Sequence, residues 1–245
     1  MNERSAPVLI LVHGAWHGSW CWAGVEPRLR QIGVEVRSVE LTSQGDDPAR
    51  IGNLYSDTEV VRGAASSVAG PVVLLGHSYG GMVITQAAQS LDNVWQLIYL
   101  SAFVPDAGQS LTGIVEPWVA AGADLSWLQP TPEGLLTVAP GRVSEIFYND
   151  CDPTVASEAE GRLRPQSGIS FQQPFQGSPR PSPPSLYVVC TEDRAISAAG
   201  QRQMAQGAQR VLELSAGHCP FLSQPERLAQ LLTEEMLPVD QANRP

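Results

Sequence analysis

Short apolar runs bounded by turn residues recur along the chain, at residues 8–12, 34–39, 72–75, 97–100, 186–190 and 211–214. Runs of this length and flanking predict β-strands. Several are apolar at every position, the pattern of central strands in a parallel sheet covered on both faces. The run at 34–39 alternates instead, with Val34, Val36 and Ser38 set against Glu35, Arg37 and Val39, which suits a strand nearer the sheet edge. Between the runs, residues 20–31, 57–68, 79–90 and 225–232 read as helices. Val60, Val61, Ala64, Ala65 and Val68 fall on one helical face. Ser56 followed by Glu59 predicts a capping box for that helix. Pro225, framed by Ser223 and Glu226, predicts the first turn of the last helix. Strands alternating with helices imply an α/β doubly wound, mostly parallel sheet.

Residues 105–185 break the rhythm. They hold Trp118, Trp127, Phe147, Phe171 and Phe175 but no clear sheet strand. The expected organisation is a core of residues 1–104 and 186–245 with an inserted helical cap over 105–185. The Pro/Gly/Ser-rich stretch 174–184 reads as an extended return to the core, and residues 238–245 as a frayed tail.

Composition narrows the function. A chain of 245 residues is long enough to bury a full core without disulfides or a structural metal. Fifteen basic residues face 25 acidic ones, a formal charge of −10. That balance argues against nucleic acid and against an anionic membrane surface. Every basic residue is arginine, so a Schiff-base or P-loop lysine is excluded. Cys21, Cys151, Cys190 and Cys219 are scattered, as for free thiols in a reducing compartment. The run 8–12 is too short for a signal peptide or a membrane span. A soluble, cytoplasmic protein is expected.

The strongest chemical signal is Gly76-His77-Ser78-Tyr79-Gly80-Gly81, between a predicted strand and a predicted helix. This is the context of a G-x-S-x-G nucleophile elbow. Gly76 and Gly80 clear the space a sharp strand-to-helix turn needs, and the turn presents Ser78 at the carboxyl edge of the sheet. A serine hydroxyl needs a base. His218, just after the last predicted strand, can return its ring over Ser78. His77 is expected to point away and pack. Asp193, after the strand at 186–190, is the expected acid that fixes the His218 tautomer; Glu192 and Asp106 are the competitors. Ser78, Asp193 and His218 follow in the Ser…Asp…His order of α/β-hydrolases. The tetrahedral intermediate requires backbone donors, expected at the N–H groups of Tyr79 and Ala15. Gly14 lets that loop approach closely, while His13 and His17 read as groups that fix it.

The remaining features read as packing. Asp150-Cys151-Asp152 lacks a histidine and is not expected to bind metal. Trp16, Trp20 and Trp22 line a pocket or pack the first helix. Cys219 follows the proposed base and is a weak candidate for substrate contact, as are Trp118 and Phe147. No Walker or dinucleotide-binding pattern occurs.

The stretch Leu11-Val12-His13-Gly14-Ala15-Trp16-His17-Gly18-Ser19-Trp20-Cys21-Trp22 resembles the opening of the methyl esterase/hydroxynitrile lyase branch of the α/β-hydrolase superfamily. This branch includes salicylate-type methyl esterases and bacterial esterase-like relatives. Residues 76–82, 191–196 and 217–225 resemble its other blocks, in order. The resemblance implies an eight-stranded type of core, a helical cap, a Ser-Asp-His triad and no cofactor; only six strands are legible here. Hydroxynitrile lyases of the branch carry Thr or Asn where this chain has Gly14, and the threonine type has Lys where this chain has Cys219. Ester hydrolysis is therefore expected over cyanohydrin cleavage. The sequence thus reads as a cofactor-independent serine hydrolase of a small apolar, aromatic or cyclic ester. The alternatives are a lyase or C–C-bond-cleaving enzyme using the same triad, and a non-catalytic small-molecule-binding protein of this fold.

Overall fold

A computed structural model describes residues 6–178 and 183–236. Six parallel strands form the central sheet: β1 (Val8–Val12), β2 (Val36–Val39), β3 (Val72–His77), β4 (Val94–Leu100), β8 (Ser185–Cys190) and β9 (Arg210–Leu214), in the order β2-β1-β3-β4-β8-β9. Each matches one of the six apolar runs. All residues of β1 and β3 are buried, whereas β2 shows Arg37 to solvent and β9 shows Arg210, Val211 and Glu213. The fully apolar runs therefore occupy the centre and the mixed ones the edges, as burial on two faces requires. The eight-stranded expectation is not met among the described residues.

The chain leaves β1 for β2 on one side and returns to β3 on the other, and β1 pairs with both: Leu9 lies opposite Val36 and opposite Val73. The sheet's winding thus reverses between β1 and β3. A crevice opens at such a switch point beyond the carboxyl ends of the strands, and the loop after β1 and the turn after β3 both end there.

Helix boundaries moved where local chemistry competed. The expected helix at 20–31 is a 3-10 turn (Ser19–Gly24) followed by α1 (Glu26–Gln31), which has Pro27 in its first turn; proline cannot continue a helix from the preceding turn. Helix α2 (Leu54–Ser66) starts earlier than expected. Its cap is Asn53, whose side chain accepts from the N–H groups of Tyr55 and Ser56, while Ser56 Oγ accepts from the Asn53 N–H. Ser56 is thus the inner partner of the box, and Glu59 instead pairs with Arg62 at 2.6 Å. Helix α3 (Gly80–Ala88) follows β3 directly.

Between β4 and β8 the segment carries α4 (Leu111–Ala120), β5 (Leu128–Pro130), β6 (Leu135–Val138), α5 (Val143–Phe147), α6 (Pro153–Glu160), β7 (Gln166–Ser167) and α7 (Gly168–Gln172). The helices were expected. The small antiparallel sheet β5-β6-β7 was not, because its strands are shorter than the runs that period-two reading detects. The chain closes with α8 (Ala198–Met204), α9 (Pro220–Ser223) and α10 (Pro225–Glu235). Ser223 ends α9 rather than capping α10, which begins at Pro225 without a side-chain cap. The expected tail at 238–245 and part of the 174–184 return lie outside the described residues.

Candidate active site

The turn from β3 into α3 leaves Ser78 at a φ of +52°. The glycines around it are required by contact. A Cβ on Gly76 would lie 2.5 Å from the Gly80 carbonyl oxygen, and one on Gly80 would lie 2.7 Å from that of Val12. Gly81 is equally constrained: a Cβ there would overlap the Phe103 carbonyl oxygen. The Ser78 carbonyl accepts from the N–H groups of Gly81 and Phe103, both at 3.0 Å.

His218 and Asp193 meet in the interior. His218 Nδ1 lies 2.8 Å from Asp193 Oδ2, and both side chains are almost wholly buried. The carboxylate accepts from Ala195 N (2.7 Å) and Ile196 N (2.9 Å) at Oδ1, and from Gln201 Nε2 (2.9 Å) and Ser101 Oγ at Oδ2. An acceptor so fully supplied with donors is suited to carry negative charge. Because Oδ2 accepts, Nδ1 carries the imidazole proton and Nε2 is the basic nitrogen. The competitors are elsewhere: Glu192 is exposed and bonds Ser215, and Asp106 is exposed with its backbone N–H on Gln109.

His77 was expected to point away and pack. It is fully buried, but it also ties the Ser78 turn to the His218 loop, donating from Nε2 to the His218 carbonyl at 2.8 Å. Burial, reinforced by the neighbouring His218, holds its pKa well below the usual histidine value, so it is a neutral donor.

The loop after β1 is fixed by two neutral histidines. Leu41 N–H donates to His13 Nε2 (3.1 Å), which puts the proton on Nδ1, and Nδ1 donates to the Gly14 carbonyl at 2.9 Å. His17 Nδ1 donates to the Ala15 carbonyl at 2.8 Å, and His17 Nε2 accepts from Tyr148 Oη at 2.9 Å. Burial lowers the pKa of His13, and it brings that of His17 down to about 3. Gly14 presses on the nucleophile turn: a Cβ there would lie 2.8 Å from His77 Nδ1 and 2.9 Å from Ser78 Cβ. Among the described residues, neither the Ala15 nor the Tyr79 backbone N–H has a protein acceptor, although both residues are buried. Two such donors near a serine can receive developing negative charge.

Tyr79 is anchored from below. Its hydroxyl donates to Asp57 Oδ2 at 2.9 Å, and Asp57 Oδ1 accepts from Thr42 N, Thr42 Oγ1 and Ser43 N. Burial raises the Asp57 pKa against these hydrogen bonds. Nothing in the sequence marks this aspartate, which looked like a helix-start residue. Ser101, also missed, follows β4 at the same carboxyl edge that carries Ser78 and Asp193, and that position is the signal that finds it.

The weak substrate candidates separate. Phe147 is buried and packs on His218, with ring centroids 5.5 Å apart, and on Trp16. Trp16 in turn meets Trp127 and Phe171, and Phe171 meets Tyr79. Cys219 is fully buried with Sγ 3.7 Å from His17 Nε2, and burial pushes its thiol pKa well up. Trp118 packs on Phe103 and Gly200 and lines a cavity of about 540 Å³ whose walls include none of Ser78, Asp193 and His218. Helix α4 carries it there, so Trp118 does not meet the acid–base pair. The segment after α5 braces the loops that carry Asp193 and His218. Asn149 Nδ2 donates to the Glu192 carbonyl at 3.1 Å, and Asp150 Oδ2 accepts from Gly217 N at 2.7 Å.

Residues 9–231 match the alpha/beta hydrolase family. The chain belongs to that family. The hydrolase is 33% identical over 248 residues to a pyrethroid hydrolase of Sphingobium wenxiniae, with 92% of this chain and 86% of the relative covered. It is 28% identical over 261 residues to methylesterase 2 of Arabidopsis thaliana, with 97% of each chain covered. A crystal structure of a pyrethroid hydrolase from Sphingobium faniae superposes on the hydrolase with a TM-score of 0.81 at 30% identity, covering 94% of this chain and 97% of the other. These relatives bear out the resemblance to the esterase branch and the expectation of an ester hydrolase. No described helix of the hydrolase is long and apolar enough to cross a membrane.

Proposed function

We propose that the hydrolase cleaves a carboxylic ester of a small apolar, aromatic or cyclic molecule through an acyl-enzyme on Ser78. Ser78 Oγ attacks the ester carbonyl while His218 Nε2 takes its proton. Asp193 holds the Nδ1 proton and stabilises the imidazolium. The N–H groups of Ala15 and Tyr79 hold the oxyanion. Collapse breaks the bond to the leaving alkoxide, which receives the proton from His218. Water, deprotonated by His218, then attacks the acyl carbonyl and releases the acid and Ser78. Residues 105–185 act as the cap over the site, with Phe147 as a wall beside the base. No step needs a cofactor.

The observation that carries this reading is the buried His218–Asp193 pair at 2.8 Å, joined through His77 to a serine held at positive φ. The rings of Trp16, Trp127, Phe147 and Phe171 favour an apolar, flat substrate. The names of the relatives favour an ester. The test is turnover of p-nitrophenyl and aryl methyl esters of graded acyl size by wild type and Ser78→Ala, with labelling by a fluorophosphonate probe. Wild type should turn over and label; Ser78→Ala should fall by on the order of a million-fold with an unchanged melt. A Ser78→Ala variant within about tenfold of wild type refutes the assignment. Absence of both turnover and labelling in wild type refutes hydrolysis in favour of ligand binding.

A further inference from the structure

Three non-glycine residues among those described hold a positive φ: Trp16 at +62°, Ser78 at +52° and Ser101 at +45°. Side chains rarely adopt this region, and such residues persist where the surroundings enforce them, often at functional sites. Trp16 lies in the loop of the oxyanion donor, and Ser78 is the nucleophile. Ser101 is the third, and its hydroxyl is one of the donors to Asp193 Oδ2.

Ser101 is fully buried at the carboxyl end of β4. Its N–H donates to the Val188 carbonyl at 2.9 Å, carrying the β4–β8 pairing one residue past the strand. Its Oγ donates to Asp193 Oδ2 and lies 3.4 Å from His218 Nδ1. The residues beside it hold the nucleophile turn. The Leu100 carbonyl accepts from Ser78 N at 3.3 Å, and Phe103 N donates to the Ser78 carbonyl at 3.0 Å. Residues 100–103 therefore brace the serine with the backbone and the acid with one side chain.

We propose that Ser101 is a positioning residue for the acid–base pair, whose hydroxyl fixes Asp193 Oδ2 and sets the pH at which His218 becomes a base. The inference rests on the triad reading above. Oδ2 divides its charge among His218 Nδ1–H, Gln201 Nε2 and Ser101 Oγ. A carboxylate oxygen shared among three donors holds each less strongly than one shared between two. Removing the hydroxyl strengthens the bond to His218 and stabilises its imidazolium. The other ionisable groups facing the pair are unaltered by this change. His17 and His77 are kept neutral by burial, as are the thiols of Cys190 and Cys219. Tyr187, also kept neutral by burial, donates to the Ala102 carbonyl. Asp150 is bound to Gly217 N, Glu192 is turned to Ser215, and Arg194 is exposed.

The test compares Ser101→Gly with Ser101→Ala. Both remove the hydroxyl; glycine accepts the positive φ, whereas alanine retains its strain. If the hydroxyl acts as proposed, both variants raise the midpoint of the kcat/KM pH profile by about half to one unit, a three- to tenfold loss on the acidic limb. The ring-nitrogen titration of His218 in protein labelled with 15N-histidine should rise equally. A glycine variant with the wild-type midpoint and titration, or with both lowered, overturns the proposal. Ser101 would then be backbone support, its hydroxyl without effect on the pair. The His218 titration needs no substrate. A wild type that hydrolyses no ester therefore refutes the proposed function separately, while the titration still decides Ser101.

Discussion

Gly14→Ala tests how the oxyanion loop is held. The added Cβ would lie 2.8 Å from His77 Nδ1 and 2.9 Å from Ser78 Cβ, where carbon contacts prefer about 3.5–4.0 Å. Neither neighbour can yield. His77 is tied to the His218 carbonyl and Ser78 is fixed by the elbow. The loop itself must retreat by about 0.5–1 Å, since that is the shortfall from normal contact, and it takes the Ala15 N–H with it. Loss of one oxyanion donor costs about 3 kcal/mol, or roughly a hundredfold or more in kcat. KM should change little, because the donor acts on charge that develops only in the transition state. Overpacking should cost the fold about 1–3 kcal/mol. The assay is kcat and KM on an activated aryl ester, with a urea melt and the extent of fluorophosphonate labelling at saturation as controls. A folded Gly14→Ala whose kcat stays within about threefold of wild type, far short of the loss expected for an oxyanion donor, would refute both the rigidity of the contact and the role of Ala15.

Asp193→Asn should keep the fold and lose several powers of ten in kcat, because the amide can favour the wrong histidine tautomer, while exposed Glu192→Gln stays near wild type; the reverse order in steady-state assays would move the acid by one residue. Stability should be level from about pH 6.5 to about 8, below the range where unfolded thiols ionise, and fall in acid. His13, His17 and His77 have folded pKa values below the ordinary 6.5, so the unfolded chain takes up protons first, and each histidine costs about 1.4 kcal/mol per pH unit. For His17 that window runs from 6.5 down to about 3. Urea titrations at several pH values should show it, and His17→Gln should flatten the slope by about one proton; an unchanged slope refutes the assignment. Asp57→Ala, which strands the Tyr79 hydroxyl and the Thr42 and Ser43 N–H groups, should destabilise the fold by about 3 kcal/mol or more in the same titration; a loss under about 1 kcal/mol would show that water replaces the carboxylate.

The six sheet strands were legible because each central strand is apolar on both faces, a signal carried by every residue of the run. Ser78, Asp193 and His218 stood out in the sequence because strand ends carry the chemistry of this architecture, and the structure brings His218 against Asp193. Other features depend on contacts between residues far apart in sequence. Asp57 meets Tyr79 across 22 positions and Tyr148 meets His17 across 131, and no local period encodes either. The capping box slipped by three residues because Ser56 can serve as cap or as inner partner, and only the position of Asn53 decides. Trp118 and Phe147 looked alike as apolar cap residues; the helix that carries each sends one toward His218 and the other toward α8.

The four consecutive residues Phe147, Tyr148, Asn149 and Asp150 touch the base ring, His17, the acid loop and the base loop. Exchanging the segment between β4 and β8 with that of a relative therefore meets a hidden seam. A chimera that exchanges everything between the strands flanking the insertion would replace these four supports with residues fitted to another scaffold. Crossovers that leave them with the recipient core should yield active hybrids more often than crossovers at the outer ends of the insertion. The useful unit of recombination is then two separate pieces, one on each side of this tetrapeptide.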